Sequence, residues 1–285
     1  MKNSIIEWLF QTNAIQVCPE DHPFWYTSGT LGPYYINTHY LYGSKAEAEI
    51  LLNRIEEFSA EKTSCPGNLF ILMNQQYQDN SIYRSVMDLI IEKSRTLDFD
   101  FISAGERRDF FFSILAANRL KKPHVSIFKD RTAILSDSEF KTASILDKNT
   151  LIGKKALHIA DLVTEASSYI RAWIPAIESL GARMSDTIAV VDRDQGGREI
   201  LEENKIRLHS FAVIHKDLFH EARKNGYINE NQYQLIVQFM ENPKKFMVSF
   251  IKAHPDFLDE QIASGGKAKE RAQLFIEKGF HLENE

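Results

Sequence analysis

Between residues 99 and 214, short β-prone runs alternate with helical stretches, and this alternation leaves the chain few folds. "FDFIS" (99–103), "PHVSIFK" (123–129), "KALHIAD" (155–161), "MSDTIAVVD" (184–192) and "RLHSFAVI" (207–214) read as strands, with helical segments at 109–121, 166–181 and 196–204 between them. Strands joined through helices pair in parallel by right-handed crossovers, so a mainly parallel α/β sheet flanked by helices is expected. Ligands of such sheets gather beyond the C-terminal strand ends. "AGERRD", "KDRTAIL", "ADLVTEASS" and "DRDQGG" all fall on that edge.

The flanks are helical. "SIIEWLFQTN" has helical spacing, and a second helix opens at Ser44, where "SKAE" reads as a capping box with Glu47 reaching back. A third helix, 80–95, follows a Pro66-Gly67 break. Beyond Lys216 the pattern stays helical, with Pro243 and Pro255 where first turns tolerate proline and Gly226 and Gly279 where helices end. The expected division is an N-terminal helical and aromatic segment (1–60), an insertion (61–97), the α/β core (98–215) and a C-terminal helical extension (216–285) capping that core.

Composition narrows the class. With 44% hydrophobic and 26% charged residues the chain is expected to be a soluble globular protein. Its apolar runs, such as "LFILM" (69–73), fall short of the roughly 20 residues a bilayer requires, and "MKNSIIEWLFQ" reads as a helix rather than a signal peptide. Cys18 and Cys65 fit no metal or redox spacing, which points to a cytoplasmic protein with incidental thiols. A net charge of −5 argues against nucleic-acid binding but leaves room for a local basic pocket.

Two motifs stand out. "YTSGTLGPYYINTH" (26–39) suggests a rigid turn with aromatic faces suited to a planar ring. In "VDRDQGGRE" (191–199) Gly196-Gly197 turn the chain from a strand into a helix, and Arg193 offers planar donors to a carboxylate or carbonyl. Asp192 and Asp194 flank Arg193 and are expected to position it. His158 reads as a core histidine, the Phe-rich "DFFFSIL" (109–115) as a helix packed on the sheet, and "SGGKAKERA" (264–272) as a plain helix entry. No histidine spacing suggests a metal site.

Together these stretches and their order resemble the orotate phosphoribosyltransferases, of the type I phosphoribosyltransferase fold, over roughly residues 3–60 and 98–218. "SGTLGPYYIN" is similar to the family's N-terminal substrate segment, "VDRDQGGRE" to its hallmark after the penultimate core strand, and "ALHIADLVTEASS" holds the place of the loop for phosphoribosyl pyrophosphate. The resemblance implies that Tyr35 and Ile36 lie against the orotate ring and that Thr164 and Arg193 bond the base. Asp161 would grip ribose hydroxyls, while Glu165, Ala166, Ser167 and Ser168 form the 5′-phosphate cradle at a helix N-terminus. Arg107 and Arg108 would bind pyrophosphate, and Lys129 and Arg131 are the cations left on the mobile loop. It further implies Mg²⁺ carried on the pyrophosphate, a homodimer, and transfer of phosphoribosyl to orotate or a related pyrimidine base.

The departures from the family pattern are specific. Ala160 replaces the first acid of an Asp-Asp pair, Glu165 puts negative charge in the cradle, and Ala166 replaces a glycine. Thr27 stands where a lysine is usual, and Thr132 and Ile134 fall near the expected catalytic Lys and His of the mobile loop, here "FKDRTAILSDSE". Losing a hydrogen bond to a charged group weakens binding by about ten- to a hundredfold, and losing one donor to developing charge costs about 10²–10³ in rate. The residues therefore leave two expectations: a phosphoribosyltransferase, or a non-catalytic descendant binding a pyrimidine, a nucleotide or a protein partner.

Overall fold

A computed structural model describes residues 2–20 and 22–280. The chain opens with α1 (Lys2–Gln11), the short strands β1 (Ile15–Val17), β2 (Phe24–Trp25), β3 (Leu31–Gly32) and β4 (Tyr34–Ile36), and a 3-10 turn at Thr38–Tyr42. Three helices come next, α2 (Lys45–Phe58), α3 (Cys65–Asp79) and α4 (Ser81–Ser94). The sheet region contains β5 (Phe101–Gly105), α5 (Phe110–Leu120), β6 (His124–Ile127), β7 (Ala133–Ser136), β8 (Ala143–Ile145), β9 (Lys155–Val163), α6 (Ile174–Ser179), β10 (Arg183–Asp192), α7 (Gly197–Glu203) and β11 (Arg207–Val213). The chain ends in α8 (Lys216–Lys224), α9 (Glu230–Glu241), α10 (Pro243–Ala253), α11 (Phe257–Ser264) and α12 (Gly266–Glu277). Among the described residues no helix is long and apolar enough to cross a membrane.

The residues form two compact units. One comprises 1–14 and 37–215, the other 15–36 and 216–285. In the first, a seven-stranded sheet has the order β11-β10-β9-β5-β6-β7-β8. The five strands from β11 to β6 run parallel, and β7 and β8 are added antiparallel. Parallel strands covered on both faces are expected to be continuously apolar, and β5 is buried at every residue. The expected α/β sheet flanked by helices is present.

Three local features differ from expectation. Pro66-Gly67 does not break the chain; Pro66 sits in the first turn of α3, where its missing N–H costs nothing. Helices α3 and α4 pack on α5, with Leu69, Met73, Tyr83 and Met87 buried and the Tyr83 hydroxyl donating to the Phe111 carbonyl at 2.6 Å. At α2 the Ser44 hydroxyl accepts from the Glu47 amide, but the Glu47 carboxylate accepts from that hydroxyl rather than from the Ser44 amide. The segment expected as a mobile loop is a hairpin instead. β6 and β7 pair from His124↔Ser136 to Ile127↔Ala133, and a turn at 128–132 closes with Phe128 N–H to Thr132 O at 2.9 Å. Apolar "AIL" at 133–135 drives this pairing, and Ile134 is fully buried.

In the second unit the N-terminal aromatic segment is sewn to the C-terminal helices. Trp25 Nε1 donates to Gln261 at 3.0 Å, Arg271 donates to the Trp25 carbonyl at 3.1 Å, and Trp25, Leu31, Phe246, Phe250 and Phe275 share one core.

Candidate functional site

Strand β9 carries "KALHIADLV" through the centre of the sheet and delivers Asp161 to its C-terminal end. The chain then turns at 164–166 and enters a helix at Ser167 that holds a π turn at Tyr169–Trp173 before α6. Ala166 makes the turn with φ +51°, a left-handed conformation that a side chain disfavours. Opposite this turn, the 106–109 stretch leaves β5 and leads into α5. Together they enclose a cavity of about 450 Å³.

Eight residues assigned by resemblance line it: Arg107 and Arg108 from one side, and Asp161, Thr164, Glu165, Ala166, Ser167 and Ser168 from the other. Ala160, Glu106, Asp109, Leu162, Val163, Tyr169 and Trp173 complete the wall. Trp173 lies close against Gly105, where an added Cβ would stand 2.2 Å from the indole, and stacks on His158 at 6.0 Å between centroids. Gly105 is thus required for the aromatic wall to close on the strand.

Other assigned residues lie elsewhere. Lys129 and Arg131 do not line the cavity; they sit in the exposed hairpin turn. The Lys129 amide donates to Glu106 Oε2 at 3.0 Å and its ammonium is 3.6 Å from Glu106 Oε1. Arg107, though in the wall, is ion-paired with Glu56. The Arg193 amide donates to the Val163 carbonyl at 2.9 Å, and its buried Nε has no hydrogen-bond partner among the described residues. Tyr35 and Ile36 belong to the second unit on β4, where Tyr35 donates to the Trp25 carbonyl and packs against Phe24 and Tyr26.

One expected positioning role is corrected. Asp192 holds Arg198, not Arg193, at 2.9 Å, and accepts from the Asp194 amide. Arg198 also donates to the Leu208 carbonyl and Ser210, so that it spans β10 and β11. Arg198 follows the Gly-Gly turn on a helix that aims it back at the sheet, while Arg193 is still in the loop.

Asp109, which sequence reasoning passed over, is central to the electrostatics. It is buried, and its carboxylate accepts from the Gly105 amide at 3.2 Å and the Asp161 amide at 3.1 Å. Burial, then the charge of Asp109, pushes the Asp161 carboxyl well above the usual carboxylate range, with Arg108 pulling the other way. Asp161 Oδ2 is buried without a hydrogen-bond partner among the described residues. Two buried histidines flank the region. His158 Nδ1 bonds Ser103 at 3.0 Å, and burial holds His124 down at about 3. His39 is lowered to about 3 by burial and by Arg108 and Arg107. Trp173 was foreshadowed only by its i, i+4 spacing from Tyr169, and Asp109 only by its place at a strand end. Among the described residues no three His, Cys, Asp or Glu side chains cluster as a metal site.

No protein-family model matches the chain. Among curated proteins it is similar to uridine 5′-monophosphate synthase of Bos taurus, 29% identical over 122 residues, which is 41% of this chain and 23% of that protein. It is also similar to orotate phosphoribosyltransferase of Sulfolobus acidocaldarius, 24% identical over 159 residues, 56% of this chain and 76% of that one. The match therefore spans under a quarter of the first relative and about three quarters of the second. Among solved structures, UMP synthase of Leishmania donovani superposes with a TM-score of 0.56 at 16% identity, covering 84% of this chain and 42% of that one. Orotate phosphoribosyltransferase of Francisella tularensis gives 0.50 at 14%, covering 83% and 96%. The structural likeness is one of fold.

Proposed function

We propose that this chain, a divergent member of the orotate phosphoribosyltransferase family with the type I phosphoribosyltransferase fold, binds a ribose 5-phosphate group in the Asp161–Trp173 cavity and transfers it to orotate or a related pyrimidine. The observation that carries this reading is the convergence of eight family-assigned residues, from two separate stretches, on one cavity. In the reaction the ring nitrogen of the base bonds C1 of the sugar while the C1–O bond breaks and pyrophosphate departs with the electron pair; the base loses its N–H proton. Ser167, Ser168 and the amides opening the helix would hold the 5′-phosphate, Asp161 the sugar, and Arg108 the leaving group. Thr164 would meet the base, with Arg193 contributing as the family assignment implies. Mg²⁺ would arrive with phosphoribosyl pyrophosphate as part of the substrate. A homodimer of cytoplasmic protein is the assembly this reading expects.

A second reading, binding without transfer, draws on three observations: Lys129 is engaged by Glu106, Arg107 by Glu56, and Ala160 stands where an acid is usual. Calorimetric titration with phosphoribosyl pyrophosphate plus Mg²⁺, orotidine monophosphate and orotate, followed by an orotate-consumption assay, tests both. Donor binding with turnover supports transfer. Base or nucleotide binding without donor binding supports the second reading, and no binding of any of the three refutes both.

A further inference from the structure

We propose that Asp109 is a positioning residue that keeps Asp161 in its neutral, proton-bearing form, so that Asp161 meets the ligand as a hydrogen-bond donor. The two acids come from different elements, 52 residues apart in sequence, yet Asp109 accepts from the Asp161 amide at 3.1 Å. Both are buried. Two carboxylates in one water-poor site cannot both ionise cheaply, so the pair retains a proton.

The surroundings decide which acid carries it. Asp109 faces the amides of Gly105 and Asp161 and, 3.7 Å from its Oδ2, His158 Nε2. The two amides donate to the Asp109 carboxylate oxygens, which makes Asp109 the acceptor of the pair. Asp161 receives the Leu162 amide, but its Oδ2 is buried with no partner among the described residues. Of the other groups nearby, Arg108 pulls toward ionisation, while Tyr169 packs on His158 at 5.1 Å and its hydroxyl is engaged by Thr187. Glu106 and Glu165 line the same cavity, and Glu106 is 3.6 Å from the Lys129 ammonium.

The consequence for recognition comes from the proton count. An ionised Asp161 accepts hydrogen bonds and repels an anion; a neutral one donates to a sugar or phosphoryl oxygen and leaves the cavity one charge less negative. This step to ligand recognition rests on the proposed binding of a phosphoribosyl group, whereas the shared proton is a property of the free protein.

The test begins without ligand. Carbon-13 NMR of the aspartate side chains across pH, with the Asp161 signal identified by its loss in D161N and followed independently through the Leu162 amide, gives the midpoint directly. The expected result is a midpoint well above that of an ordinary aspartate, lowered by a pH unit or more in D109N. Titration of Asp161 near pH 4 in the unmodified chain overturns the proposal, as does an unchanged midpoint in D109N. If D109N does not fold, the same comparison is made with Asp109→Ser, where an unchanged midpoint again overturns the proposal. Ribose 5-phosphate titrated at pH values on either side of the midpoint should then bind about ten-fold more weakly on the alkaline side; pH-independent binding refutes the donor role. A raised midpoint with no ribose 5-phosphate binding at any pH refutes the cavity's proposed ligand and leaves the proton pair standing.

Discussion

Gly197→Ala separates sterics from helix propensity by sign. An added Cβ at Gly197 would stand 2.4 Å from the Thr164 carbonyl oxygen and 2.5 Å from Val163 Cγ1, about 1 Å short of the 3.4 Å where ordinary contact begins. The Thr164 carbonyl cannot simply retreat. The preceding Val163 carbonyl is held by the Arg193 amide, and Val163 is in register with Asp192 across β9 and β10. Overpacking against such a neighbour costs about 1–3 kcal/mol, with the upper end applying where backbone must move. Replacing glycine by alanine in a helix contributes about 0.5–1 kcal/mol in the opposite direction. The balance is a loss of about 2 kcal/mol, or a fall in Tm of roughly 4–8 °C for a chain of this size. Because Thr164 directly precedes the cradle, affinity for phosphate should fall as well. Gly196→Ala is the control: φ is +85° there and nothing lies within 4 Å, so only backbone strain of about 1–2 kcal/mol is expected, with phosphate affinity retained. Thermal unfolding and phosphate calorimetry on both variants decide the matter. An unchanged or raised Tm in Gly197→Ala would refute the reasoning.

Three other perturbations have definite outcomes. Glu165→Gly should strengthen binding of ribose 5-phosphate about five-fold by calorimetry, since an exposed like charge in the cradle contributes on the order of 1 kcal/mol of repulsion; weaker binding would identify Glu165 as a ligand. Ala166→Gly relieves a left-handed φ worth about 1–2 kcal/mol but removes a buried methyl and loosens the unfolded chain by comparable amounts. Its stability in urea should therefore stay within about 1 kcal/mol of the parent while inorganic phosphate binds more tightly. Stability against pH should peak near pH 6.5. Below it the unfolded chain takes up protons that buried His39 and His124, both lowered to about 3, refuse, so stability is lost as pH falls. Above it Asp161, raised when folded, still holds a proton that the unfolded chain has released, so stability is lost as pH rises. Urea unfolding of His124→Gln should flatten the acid limb and of Asp161→Asn the alkaline limb.

The parallel strands were legible because each is a short run rich in apolar and β-branched residues between turn-forming residues. The cradle was legible for a similar reason: "ADLVTEASS" is contiguous, so strand, turn and helix start place its side chains together. What could not be read depends on distance along the chain or on competing local signals. Nothing in "AGERRD" reveals that its last residue meets Asp161. Lys129 and Arg107 look like available cations until Glu106 and Glu56 are found beside them. Residues 133–135 carry strand propensity, but family position suggested a loop, and there the local chemistry decided the outcome. Pro66-Gly67 misled in the opposite direction, since proline both interrupts and begins helices.

The π turn at Tyr169–Trp173 bears on how this chain tolerates changes of length. Such a turn fits one extra residue into a helix while the turns on its C-terminal side stay wound. Deleting one residue from 170–172 would let the helix relax to ordinary α geometry, a change that secondary structure alone would accept. Every side chain beyond the deletion would nevertheless turn by about 100° relative to Tyr169, and the indole would leave the bare face of Gly105. The spacing between Tyr169 and Trp173 is therefore under tighter constraint than the identity of the residues between them, and variants of this segment should exchange amino acids far more readily than they gain or lose one.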